Sequence, residues 1–444
     1  MNPWYSQGGK QSALIFQPAI KTSEISCPLG LRKHGVEPGG FFVSNFRGTV
    51  DSALENPHPN VHQPWSDWSR DQQLHVAVAY SNPFRWRTRR ELLNNFRHHM
   101  QSSPNVVLHV GELAYGDRPH EVTSPENPND VQLRTNHELF HKENIQNVII
   151  AKGFPADWRY GAAIDGDFLF TRHDWALETV HQLQHYDWIQ PFSNYTDVSG
   201  NVYGQAHLPT RQNTGFFFNY IQNGFQVSPR FGNSRPMPKA TGPKVKHKHK
   251  HEHGCRCGCC CPCCCSCCQP CDPDDYDYVS AMGQGPFMRG VGATGGAIAF
   301  RRSAFDTVGR LLDRCILGHA DWYMAFQLVG LDPPDIHTQA YHPMYKKYVK
   351  SWGTRAARLK RNVGYVDGLA VHFFHGSKTR RAYSSRDVIL AQHEFDPYED
   401  VHADHQGIYQ LSPEKPNLRD DVRQYFISRF EDDPNIYPPE KHMV

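Results

Sequence analysis

The run RYGAAIDGD, residues 159–167, ends an apolar stretch on two carboxylates one residue apart, Asp165 and Asp167. Like charges so placed repel unless a cation sits between them. Mg²⁺ and Mn²⁺ prefer hard oxygen ligands and complete their shells with water and phosphate. The pair therefore suits Mn²⁺ or Mg²⁺, which would neutralise charge developing on a phosphate leaving group. A solvated turn carries Asp-x-Asp equally well.

Three further stretches hold residue types with chemical use. In HFFHGSKTRRAY, His372 and His375 follow an apolar run, and Lys378, Arg380 and Arg381 come directly after. A histidine completing a metal shell beside cations that hold phosphate oxygens is coherent, as is an ordinary basic surface loop. In GHADWYMA, Asp321 sits where a helix begins, placed either to accept a proton from a hydroxyl or simply to cap that helix. In GVGATGGAIAF, Gly292, Gly295 and Gly296 permit close backbone approach to a ligand. That run lacks the strand-before, helix-after context of a dinucleotide fingerprint.

Positioning these residues requires a scaffold, and the spacing of apolar residues gives one. LHVAVAY (74–80), NVVLHVGELAY (105–115), RYGAAI (159–164), DWIQPFS (187–193) and GAIAF (296–300) read as strands. RTRRELLNNFRHHM (87–100), LRTNHELFHKENIQNVIIAKG (133–153) and HDWALETVHQLQHY (173–186) read as helices. Strand and helix alternating with short links predict an α/β, Rossmann-like domain with a mostly parallel central sheet. Ligands of such sheets sit beyond the carboxyl ends of the strands. Ser81, Asn82, Glu112, Asp165 and Asp167 all follow strands and are expected to converge on one crevice.

Composition bounds the rest. Lys+Arg 47 against Asp+Glu 45 gives a net charge of +2, no electrostatic case for whole-chain nucleic-acid binding. No run of 18 apolar residues and no basic, then apolar N-terminal leader occurs, so neither a membrane span nor a secretory signal is expected. Of 13 Cys, all but Cys27 and Cys315 crowd between Cys255 and Cys271, leaving a Cys-poor body that suits a reducing, cytoplasmic setting.

Residues 1–72 read as an irregular arm, and 73–400 as the main domain, interrupted over 225–278 by KVKHKHKHEHGCRCGCCCPCCCSCCQPC and its flanks. Residues 401–444 read as a polar tail with one helix, NLRDDVRQYFISRF. The insertion offers His247, His249, His251 and His253 ahead of its cysteines. It is either a low-complexity loop or a thiolate metal binder, since no folded span separates paired ligands.

The order of these pieces resembles that of GT-A-fold glycosyltransferases, above all the family-2-like and β-1,4-galactosyltransferase-like inverting enzymes. The run LFHKENIQNVIIAKGFPADWRYGAAIDGDFLFTRHDWALETVHQLQHYDWIQPFS is similar to one in uncharacterised family-2-like proteins of phages and microbes. The likeness spans roughly 73–222 and 279–400. Gly161 and Ala163 stand where those proteins have aromatics, Gly166 lies within the Asp pair, and His319-Ala320 replaces two acidic residues.

The resemblance implies transfer of a sugar from a nucleotide sugar, a UDP-sugar above all, to an acceptor hydroxyl, with inversion and with Mn²⁺ or Mg²⁺. It implies Asp167 as a direct metal ligand, His375 and His372 as further ligands, and Asp165 at the ribose or the metal shell. Asp321 would be the base. Ser81, Asn82 and Glu112 would face the nucleotide, Lys378 and Arg381 the diphosphate, and Gly295 and Gly296 the donor. The acceptor could be a glycan, a protein, a lipid-linked saccharide or a modified nucleobase. Two other readings stay open: a sugar-nucleotide nucleotidyltransferase, though SNPFRWRTRR lacks the expected glycines, and a metal- or nucleic-acid-binding protein acting through the Cys/His insertion.

Overall fold

The computed structural model describes residues 73–198, 209–227, 291–338, 340–377, 380–383 and 385–432. The N-terminal arm, the Cys/His insertion and Lys378 lie outside the described residues.

The strands are β1 (Leu74–Ser81), β2 (Val106–Tyr115), β3 (Asp130–Thr135), β4 (Tyr160–Ile164), β5 (Phe168–Phe170), β6 (Trp188–Gln190) and β7 (Asn194–Val198). They continue as β8 (Pro209–Thr214), β9 (Ala297–Arg301), β10 (Val363–Tyr365), β11 (Leu369–His372), β12 (Val401–Ala403) and β13 (Tyr409–Leu411). The helices are α1 (Arg87–Ser102), α2 (Lys142–Lys152), α3 (Trp175–Leu183), α4 (Phe216–Gln222) and α5 (Arg302–Val308). They continue as α6 (Ala320–Leu328), α7 (Pro334–Thr338), α8 (Pro343–Ala356), α9 (Val388–Gln392) and α10 (Pro416–Ser428).

A seven-stranded sheet runs β10-β6-β9-β4-β1-β2-β3. All its neighbours pair in parallel except β9, which is antiparallel to both β4 and β6. The protein is thus mixed α/β with a largely parallel central sheet. No helix among the described residues is long and apolar enough to cross a membrane.

Both faces of this sheet are covered, which is why LHVAVAY reads as a continuous apolar run. Alternate side chains of β1 serve opposite faces. Val76 and Val78 join Leu93 and Phe96 of α1, while Ala77 joins Ile145 and Ile149 of α2. From β1 the chain steps one way to β2 and β3, then returns to place β4 on β1's other side. The β1/β4 boundary is therefore the point where strand order reverses, and a crevice opens there beyond the carboxyl ends.

A second sheet, β5-β11-β7-β8, stands beside it, and β12 pairs with β13 in a small hairpin. The helix expected over 133–153 is in fact β3 followed by a turn and the shorter α2. Leu133 pairs with Leu113 of β2, and burial alternates through Leu133 and Thr135, so sheet pairing wins over helical spacing there.

The polar tail expected from residue 401 is not a tail over its described part. Val401, Ile408, Tyr409, Leu411, Leu418, Val422 and Phe426 belong to the main core. Beyond α10 the chain reaches the start of α1. Helix α1 has no cap of its own and no acidic residue in its first turn. Asp432 supplies both, accepting from the backbone N–H groups of Arg87 (2.6 Å) and Thr88 (2.9 Å) and from the Thr88 hydroxyl.

Candidate functional site

The Asp165-Gly166-Asp167 turn joins β4 to β5. The Asp165 N–H donates to the Gly296 carbonyl (2.7 Å), and the Phe373 N–H donates to the Asp167 carbonyl (2.9 Å). β5 then pairs antiparallel with β11, setting Phe168 opposite His372. That register brings histidines from more than 200 residues away to Asp167. His375 Nδ1 lies 2.9 Å from Asp167 Oδ2 and His372 Nε2 lies 3.8 Å from it. One ligand atom from each of Asp167, His372 and His375 fits within 4.8 Å of the others.

Three observations test whether these residues suit a metal. Asp167 Oδ1 is buried and has no hydrogen-bond partner among the described residues. His372 Nδ1 is held at 2.7 Å by Asp197, its register partner on β7, which leaves Nε2 aimed at Asp167. A carboxylate behind a ligating imidazole is the usual second contact of such a ligand. Two imidazoles and one carboxylate are donors suited to Mn²⁺ and its neighbours rather than to Mg²⁺.

Charge follows the same plan. Burial alone would raise the Asp167 carboxyl, yet His375, His372 and Arg381 hold it well below the usual carboxylate range. Burial and the Arg381 guanidinium push His375 down to about 4, so its ring is neutral at pH 7. The Arg381 guanidinium donates to His375 Nε2 (2.7 Å), which places the ring proton on Nδ1, facing Asp167. To hold a cation through Nδ1, His375 would carry its ring proton on Nε2 instead.

The crevice is a cavity of about 410 Å³. Ser81, Asp165, Asp167, Asp321, His375 and Arg381 all line it, so residues spread over 300 positions do meet. Arg89, Arg386 and Arg429 add cationic wall, and Tyr80, Trp322 and Tyr383 add aromatic wall. That mixture suits an anionic ligand with a ring-bearing end.

Asp165 is in the crevice but outside the three-residue cluster. Its carboxylate is paired with Lys142 Nζ (3.1 Å), which also reaches Glu143 (3.2 Å). Burial raises the Asp165 carboxyl and Lys142 opposes it, with Asp167 and Asp321 adding to the rise. Burial likewise lifts Glu143 to about 7 against the pull of Lys142.

Asp321 stands in the first turn of α6 and accepts from the Trp322 N–H (2.9 Å), but the N-cap position is held by His319, so Asp321 does not cap the helix as the sequence suggested. Gly295 passes so close that a Cβ there would lie 2.0 Å from Asp321 Oδ2. The expected closeness of Gly295 and Gly296 is thus to protein rather than to ligand: Gly296 is pressed on the Phe168 ring. A Cβ on Gly296 would sit 2.1 Å from that ring, and its φ is +90°. Gly296→Ala will therefore push Phe168 off β5, with a stability loss of about 2–4 kcal/mol in urea unfolding. An unchanged midpoint would refute it.

Two residues expected to face a nucleotide have other work. Asn82 organises the turn after β1, bonding the Trp86 backbone twice and the Tyr80 hydroxyl. Glu112 pins the loop 121–123 through three backbone N–H groups and the Thr123 hydroxyl. Neither lines the cavity. Sequence reasoning missed Asp197, Lys142, Arg89, His319 and Asp387. Only Lys142 left a signal, as the basic residue of the HKEN run. The sequence matches no known protein-family description, and no curated protein matches it significantly.

Proposed function

We propose that the protein is a metal-dependent glycosyltransferase with a GT-A-type fold. In this reading it moves a sugar from a nucleoside-diphosphate sugar to an acceptor hydroxyl by a single in-line displacement. The observation that carries the reading is the joining of Asp167, His372 and His375 to an arginine-walled cavity at the strand-order reversal. Asp167, His372 and His375 would hold Mn²⁺, and such an ion supplies neutralisation of the departing diphosphate. Arg381 and Arg89 lie on the same cavity wall and bind phosphate oxygens. Asp165, tied to Lys142, faces the ribose side. Tyr80 and Tyr383 offer rings to the rest of the donor.

The test is nucleoside diphosphate release from UDP-glucose, UDP-galactose, UDP-N-acetylglucosamine and GDP-mannose, with Mn²⁺ or with EDTA. Release from one donor should vanish with EDTA and fall at least about a hundredfold in Asp167→Ala. Mn²⁺ titration followed by electron paramagnetic resonance should show the same variant losing its ion. A folded protein that binds no Mn²⁺ and releases nothing from any donor would overturn the reading.

A further inference from the structure

The cavity has a second polar group that the metal does not need. His319 lines it, two residues before Asp321 and directly ahead of α6. The Gly318-His319 pair turns sharply, both residues taking left-handed backbone, with φ +95° and +72°. Such backbone is costly for a side chain other than glycine and is held where surrounding structure over-determines it. Here the turn directs the imidazole onto Asp387, whose Oδ2 contacts His319 Nδ1.

Asp387 is built to keep that contact. It is 4% exposed, and its Oδ2 also accepts from the Tyr341 hydroxyl (2.6 Å), which meets the Tyr323 hydroxyl at 3.0 Å. Burial would raise its carboxyl, but His319 and Arg386 hold it below the ordinary carboxylate value, so it stays an anion. With Nδ1 facing an anion, the ring proton sits on Nδ1 and Nε2 carries the free lone pair, on a residue that lines the cavity. A base whose orientation is fixed by a third group is the arrangement used to deprotonate hydroxyls. Asp321 is placed less well for this, since one carboxylate oxygen takes its own helix's N–H and the other abuts Gly295.

We propose that His319, oriented by Asp387, is the base that activates the acceptor hydroxyl, in place of Asp321. This rests on the glycosyltransferase reading above. The acceptor O–H gives its proton to His319 Nε2 as its oxygen bonds to the anomeric carbon. The bond from that carbon to the diphosphate oxygen breaks, and its electron pair leaves with the diphosphate. The imidazolium so formed is balanced by Asp387, with Asp335 as the second carboxylate on the same cavity wall and Arg386 as the nearby cation.

The experiment compares wild type, His319→Gln, His319→Gly and Asp387→Asn. Each is assayed for UDP binding in Mn²⁺ and for turnover of UDP-glucose, UDP-galactose and UDP-N-acetylglucosamine. His319→Gly is a fair variant because glycine accepts the φ of +72° without strain. The expected result is UDP binding within about threefold of wild type, with turnover down about 10²–10⁴-fold for both His319 variants and less for Asp387→Asn. Free imidazole should restore turnover to His319→Gly by at least about tenfold.

Full turnover in His319→Gln, or a loss confined to UDP binding, would overturn the assignment while leaving the transferase reading in place. Loss of turnover without imidazole rescue would also overturn it, leaving His319 a positioning residue. A wild-type protein with no turnover of any nucleotide sugar would sink both.

Discussion

Acidification should unfold this protein between pH 6.5 and 4.5, well before its carboxylates are titrated in bulk. His99, His109 and His141 are each pushed by burial down to about 4. His109 shares a 3.1 Å contact with His75 against Phe154, and its Nδ1 is buried without a partner. His99 Nε2 accepts the Phe170 N–H (3.0 Å), a bond that a ring proton abolishes. His141 contacts the Tyr409 carbonyl (2.9 Å) through Nε2 and is fully enclosed by protein.

The sign is fixed by linkage. In the unfolded chain these imidazoles bind protons below about pH 6.5, whereas the folded chain resists until about pH 4. Stability is therefore full above 6.5 and falls by about 1.4 kcal/mol per pH unit for each group below it. Glu143 opposes them, since a carboxyl raised to about 7 favours the folded state as pH falls toward its ordinary value. His375, also pushed down to about 4, makes a fourth loss. Four losses of about 1.4 kcal/mol per pH unit against one gain are enough to exhaust an ordinary domain within about two units. Urea midpoints at pH 7, 6, 5.5 and 5 check it. His141→Gln should flatten the slope by about 1.4 kcal/mol per unit. A midpoint constant over that range would show that these rings titrate as exposed histidines do.

The second large effect is expected from Glu431→Ala. Glu431 has no exposed side-chain surface and is gripped by Arg89 at 2.7 and 2.9 Å and by Arg429 at 2.8 Å. Burial would raise its carboxyl, but the two guanidiniums bring it down to about 2. Arg89 also lies 4.8 Å over Trp86 and donates to the Ser81 carbonyl, so its position depends on several groups at once. Removing the carboxylate leaves the buried Arg429 and the half-buried Arg89 without their shared anion. The cost is about 3–5 kcal/mol in chemical denaturation, and Glu431→Gln should recover only part of it. A loss under about 1 kcal/mol would place the cluster among surface ion pairs.

Much of this was legible in the chain because it is written locally. β1, β2, β4, α1 and α10 are long periodic segments whose apolar spacing speaks for itself, and the Asp pair marks its own strand end. The parallel sheet followed from alternation, and the crevice from the rule about strand ends. Asp167 meeting His372 and His375 was expected from the resemblance and is met by the β5/β11 register.

What stayed hidden depends on partners distant in sequence. No local pattern tells Asp197 that it will stand opposite His372, or Asp387 that it will hold His319. Leu133 sits in a segment with helical spacing, and only its pairing with Leu113 makes it a strand. Glu112 and Asn82 were expected at the crevice because the loops that consume their hydrogen bonds have no signature of their own.

The cap on α1 has a consequence for how the chain is made. Helix α1 emerges early in synthesis, yet Asp432, which completes its first turn, is separated from Thr88 by 344 positions. Closing so long a loop is slow, and contacts of this range form late in folding. On the ribosome, the β1–β4 half can collapse with its Asp pair already placed while the start of α1 stays frayed and Arg89 unpaired. The arginine wall of the crevice is then the last part to set.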